Sequence, residues 1–155
     1  MKWFTVALIA STAVLAGCND SNKMTAPRNT VYTATLSGNQ SVPPTGSQAT
    51  GVAQFTVLPG GAIQWSLRTT GLDSVFASHI HAGRPGQGGP VAIPLFAGGP
   101  LRDLNIQGTI TDAATVAEAL LLFRADSAYV NVHTNAFQGG EIRGRVMLQA
   151  SGGSY

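Results

Sequence analysis

Three histidines are the residues of this chain best suited to chemistry, and all of them fall in two short segments, His79-Ile80-His81 and Asn131-Val132-His133-Thr134. Side chains alternate across a strand, so in an extended segment His79 and His81 point to one face, roughly 7 Å apart along the chain. A third imidazole from a neighbouring strand then completes a set able to hold one metal ion. Imidazole nitrogens suit copper and zinc, and three protein ligands with an open position are common at catalytic zinc. The site has no Cys and no nearby Asp, which argues against a closed structural zinc site. The plainer alternative is that each ring sits at a strand end and bonds a loop backbone.

Three further residues attach to this pattern. Asn131 shares the face of His133 and can orient a ring, bind a ligand, or simply satisfy a loop carbonyl, the last being its ordinary role. Glu141 and Arg143 share a face two residues apart, and an exposed ion pair is their default. Glu141 can instead hold the free N–H of one histidine, as carboxylates behind metal ligands do. There is no Gly-x-Ser-x-Gly, no P-loop and no pair of acids near the histidines, and Ser78 faces away from His79. The expectation is binding rather than catalysis.

Those residues must be carried by strands. Val31–Leu36, Gly51–Leu58, Ala62–Arg68, Val75–Ile80 and Val91–Phe96 read as five short strands, with Asn105–Ile110 as a short sixth. Pro59-Gly60-Gly61 makes a tight turn and the second and third strands a hairpin. Gly38–Gly46, with two prolines, and Gly83–Pro90 are loops. Asp112–Arg124 is the one helix, with Asp112 as its N-cap and alanine and leucine along its length. Tyr129–Thr134 and Gly140–Leu148 close the domain. This spacing predicts an all-β fold, a Greek-key β-sandwich or barrel with one inserted helix.

The N-terminus reads as an export leader. Lys2 precedes an apolar run from Trp3 to Leu15 that is too short to span a bilayer, and Leu15-Ala16-Gly17-Cys18 closes it. Residues 1–17 are therefore expected to be a cleaved signal peptide. Leu-Ala-Gly-Cys resembles the bacterial lipobox, which implies that Cys18 carries a diacylglyceryl group and an N-acyl chain such as palmitate. Several acyl chains hold a protein stably where one does not. Residues 18–29 are polar and read as a flexible tether, residues 30–149 as the domain, and residues 150–155 as a disordered tail. Residue 19 is Asn rather than the Asp that retains enteric lipoproteins at the inner membrane, so the expected location is the cell envelope, at the outer membrane in a Gram-negative cell.

Composition narrows the partners. Without Lys2 the mature chain keeps eight Lys and Arg against seven Asp and Glu, a net charge of about +1. The basic residues are scattered, which excludes the stripe or patch a nucleic-acid site needs. Cys18 is the only cysteine, so the domain has neither a disulfide nor a thiolate ligand.

His79-Ile80-His81-Ala82-Gly83, Gly86, Gly89-Pro90-Val91, Tyr129–Thr134 and Gly140-Glu141-Ile142-Arg143-Gly144, preceded by Leu36-Ser37-Gly38, Val42-Pro43-Pro44 and Gly51, resemble the CHRD (chordin) domain. Ser41 and Gln138 depart from the pattern, where Glu and Pro are usual. The resemblance implies an immunoglobulin-like or copper/zinc superoxide dismutase-like sandwich, and bacterial members that are secreted or lipid-anchored. The His-x-His strand before a glycine loop is also similar to the copper strand of those dismutases. The further histidines, the zinc Asp and the disulfide are missing, so a dinuclear dismutase is excluded and a mononuclear copper or zinc site stays open. Two functions stand side by side: a metal-binding envelope protein with His79, His81 and His133 as ligands, and a scaffold whose loops hold a protein or glycan partner.

Overall fold

The computed structural model describes residues 29–149. The leader, Cys18, the tether up to residue 28 and the tail from residue 150 lie outside the described residues.

The strands are β1 (Thr30–Ser37), β2 (Thr50–Val57), β3 (Ile63–Thr70), β4 (Val75–Ala82), β5 (Val91–Leu101), β6 (Asn105–Ile110), β7 (Ala128–Thr134), β8 (Ile142–Arg145) and β9 (Met147–Leu148). The helix α1 (Ala113–Arg124) lies between β6 and β7. The strands form one antiparallel sheet in the order β5-β4-β7-β8-β1-β2-β3-β6, with β9 also paired to β1. The sheet curls into a nearly closed barrel-like sandwich, the all-β class expected from the strand spacing.

Local sequence explains the joints. The β2–β3 hairpin turns through Pro59-Gly60-Gly61, where Leu58 and Ala62 pair by backbone and Gly61 takes φ +90°, a left-handed backbone that glycine adopts without a Cβ clash. Asp112 caps α1 by accepting the Thr115 N–H at 2.9 Å. The final expected strand divides: Gly140 and Glu141 stay in the loop, β8 begins at Ile142, and Val146 interrupts the run before β9.

The core lies on the concave face. Leu36, Ala53, Phe55, Ile63, Leu67, Ile80, Val130, Val132 and Ile142 are fully or almost fully buried there. The helix packs on it through Phe123, whose ring lies 5.0 Å from that of Tyr32 and 5.1 Å from that of Phe55. Burying side chains of this size contributes about 1.5–3 kcal/mol each and must hold the domain without a disulfide.

One strand departs from the usual one-sided pattern. Every residue of β7 is buried. Val130 and Val132 face the core; Tyr129, Asn131 and His133 face outward, yet loops cover them. That cover makes a second interior, and the chemistry lies there.

Candidate metal centre

Pairing between β4 and β7 brings the histidines together. Ala77 lies opposite His133, His79 opposite Asn131 and His81 opposite Tyr129, so all six residues share the outer face. A register shift between Val75 and Ala77 accompanies this alignment. The ring centroids are 5.0 Å apart for His79 and His133, and 5.7 Å for each of the other two pairs. One ligand nitrogen from each ring falls within 4.8 Å of the other two.

The loops set which nitrogen each ring offers. Nδ1 of His81 lies 3.0 Å from the Gly89 carbonyl, and Nδ1 of His133 lies 2.8 Å from the Gln138 carbonyl. A carbonyl only accepts, so both Nδ1 atoms carry the proton, and in the neutral ring Nε2 holds the lone pair. This is the orientation in which backbone carbonyls hold metal-ligating histidines. The plainer reading of the histidines therefore describes two of the three rings, and it leaves a nitrogen of each for the cluster. One nitrogen of His81 and of His133 bonds a loop backbone, and the other faces the cluster. Nε2 of His133 lies 3.2 Å from Nδ1 of His79. Nε2 of His81 is buried and has no hydrogen-bond partner.

That orphan atom matters energetically. A buried polar atom without a partner costs about 1–3 kcal/mol. Among the described residues only Ser78 Oγ, His81 Nε2 and Asn131 Oδ1 are in this state, and two of the three belong to the outer face of the cluster. Burial pulls the pKa of His79 below the ordinary imidazole value, with help from His133 and His81. Burial does the same to His81, against the Gly89 hydrogen bond and together with His133 and Arg143. His79 and His81 are thereby biased toward the neutral form, the one that binds metal.

Neither Glu141 nor Asn131 takes the alternative role of serving a histidine. Glu141 bonds no histidine. Its carboxylate accepts Ser47 Oγ at 2.6 Å and Thr134 Oγ1 at 2.7 Å, and its carbonyl accepts Ser41 Oγ and Thr45 Oγ1. It pins the Gly38–Gly46 loop to the sheet. Asn131 donates from Nδ2 to the Gly139 carbonyl at 3.0 Å, which is its ordinary role. Nor do Glu141 and Arg143 form the exposed ion pair that is their default: both are buried, and among the described residues the one ion pair joins Arg145 to Asp126. Arg143 instead lies over the Tyr129 ring, 3.5 Å from its centroid.

Tyr129 and Gly89 are the residues that sequence reasoning missed. The Tyr129 ring stacks on His81 at 4.9 Å with an interplanar angle of 12°. Its hydroxyl accepts the Gly89 N–H at 3.0 Å and donates to the Gly89 carbonyl at 3.3 Å. One glycine therefore ties the loop to both rings. The available signal was the period of two in Tyr129-Val130-Asn131-Val132-His133, which sets Tyr129 on the histidine face.

The family model of the CHRD domain matches residues 32–146. The chain belongs to the CHRD domain family. The match spans β1 to Val146, so both loops that roof the cluster and all three histidines of this CHRD domain lie inside it. No curated protein matches the chain.

Proposed function

We propose that this CHRD domain binds a single copper or zinc ion through His79, His81 and His133. The observation that carries the reading is the buried, partnerless Nε2 of His81 facing a cluster whose ligand nitrogens lie within 4.8 Å of one another. Ligand atoms of a tetrahedral ion with bonds near 2.0–2.1 Å stand about 3.4 Å apart. The His79–His133 separation of 3.2 Å already suits this. Closing the widest spacing of 4.8 Å to that value takes ring adjustments of up to about 1.4 Å, which half-exposed His79 can share. The ion would supply Lewis-acid or, for copper, redox chemistry at an open position; the imidazoles hold and orient it.

Equilibrium dialysis of the purified protein against copper and against zinc, followed by metal analysis, tests this. One equivalent retained at micromolar free metal is expected, and none in the triple His→Ala variant. Retention of no stoichiometric metal by the wild-type protein sinks the proposal.

The same reading sets the site in the cell envelope, on a chain anchored in the membrane by lipid on Cys18. Its support is the Leu15-Ala16-Gly17-Cys18 sequence and the polar stretch before the domain. Mass analysis of the mature N-terminus checks it: acylated Cys18 is the expected first residue, and a chain starting elsewhere overturns it.

A further inference from the structure

The loop Gly38–Gly46 and the loop Gly83–Pro90 stand apart above β8, leaving a cleft of about 370 Å³ lined by Asn39, Ser41, Val42, Pro44, Pro85 and Arg143, among others. Pockets of this volume take small organic ligands.

Arg143 is the unusual feature of the cleft. It is only 6% exposed, yet no carboxylate pairs with it among the described residues. Nη2 donates to the Gln87 carbonyl at 2.7 Å, with the Arg84 carbonyl more distant at 3.5 Å. Nε and Nη1 have no protein acceptor among the described residues. A buried cation is normally paired, because desolvation is costly and only good geometry repays it. The face of Tyr129 repays part of it. The other charged residue at the cleft, Arg145, is already neutralised by Asp126. The cleft therefore holds one uncompensated positive charge, and Val42, Pro44 and Pro85 give it apolar walls. Val42 is 51% exposed, so this wall faces the open cleft.

We propose that this cleft binds a monocarboxylate that carries an aliphatic body, with the carboxylate on Arg143 and the body against Val42, Pro44 and Pro85. A planar guanidinium fork matches a carboxylate in shape, and one free charge balances a monoanion better than a phosphate dianion. Such a carboxylate belongs to a free aliphatic acid or to a peptide C-terminus. The site neighbours the histidine cluster through Tyr129, which Arg143 covers and His81 stacks on, but it needs no metal.

The test is titration of metal-stripped protein, followed by NMR at the Arg143 Nε–H, with hexanoate and with acetyl-Ala-Val as probes. Hexanamide, acetyl-Ala-Val-amide and inorganic phosphate are the controls. Saturable shifts are expected at Arg143 and in the amides of both loops for at least one acid, and the tighter acid names the source. The amides and phosphate should bind about tenfold more weakly or worse. Arg143→Gln should lose binding and Arg143→Lys should keep part of it. Val42→Glu, at an exposed position, sets an internal carboxylate beside the cleft and should block the acids even if Arg143→Gln fails to fold. Equal binding of acid and amide, equal binding of acid and phosphate, or no saturation up to about 50 mM acid overturns the proposal.

Discussion

Nδ1 of His79 lies 3.2 Å from Nε2 of His133, across a gap that either one proton or one metal ion can bridge. Because Nδ1 of His133 is committed to Gln138, the bridging proton belongs to His79. Metal binding at Nδ1 moves that proton to Nε2 of the same ring, and acid competes by protonating the imidazoles, so affinity is expected to fall with acid. Copper and zinc binding isotherms at several pH values check this: ring protonation should appear as a pH-dependent apparent Kd, steepest below the ordinary imidazole value.

Metal should also stabilise the fold. At a free concentration a hundred times Kd, a ligand specific for the native state adds about 2.7 kcal/mol. For a domain of this size that raises the melting temperature by on the order of 10 °C. Calorimetry with and without copper or zinc measures it, and the triple His→Ala variant is expected to melt at one temperature in both.

Without metal, stability should decline in mild acid. His79 and His81 have native pKa values below the unfolded value near 6.5. The unfolded chain then takes up protons first. Stability is full above about pH 6.5, falls as pH drops from there toward the native values, and levels off below them. Chemical denaturation from pH 8 to pH 5 should show this fall in the wild-type protein and a smaller one in His79→Ala/His81→Ala. An equal fall in both proteins contradicts it.

Gly89 should tolerate nothing larger. A Cβ there would overlap the carbonyl of Ala82 on β4. Gly89→Ala is expected to destabilise the domain by at least about 2 kcal/mol, as overpacking does. Tyr129→Phe keeps the stack on His81 but loses the hydroxyl contacts to Gly89, so its cost should be only about 0.5–1.5 kcal/mol. Urea denaturation separates the two.

Glu141→Ala should cost about 1–3 kcal/mol by stranding the hydroxyls of Ser47 and Thr134, with metal affinity changed less than about twofold. A large loss of metal affinity at unchanged stability would instead mean that Glu141 acts on a histidine. Paired measurements of melting temperature and metal Kd decide between these outcomes.

Local rules made most of the architecture legible. Strand-forming runs between Gly and Pro turns marked the strands from β1 to β7, although β5 runs on to Leu101, past its expected end at Phe96; Asp112 marked the start of α1, and Pro59-Gly60-Gly61 marked the β2–β3 turn. Each of these depends on neighbours within a few residues. The period of two likewise fixed His79 and His81 on one face, before any knowledge of what lay opposite. Val146 was not legible as a break, because its buried apolar side chain fits a continuous strand as well as an interrupted one.

The tertiary structure decided the rest. His133 joins the pair only because β4 and β7, some fifty residues apart, align with Ala77 opposite His133; a slip of one residue would send that ring into the core. The same long-range pairing covers an outer sheet face with two loops, so Glu141 and Arg143, which read as an exposed pair, are buried with separate partners. Residue type and local period specify which way a side chain points. What it meets there depends on register and on loop closure, which are set by contacts far apart in the chain.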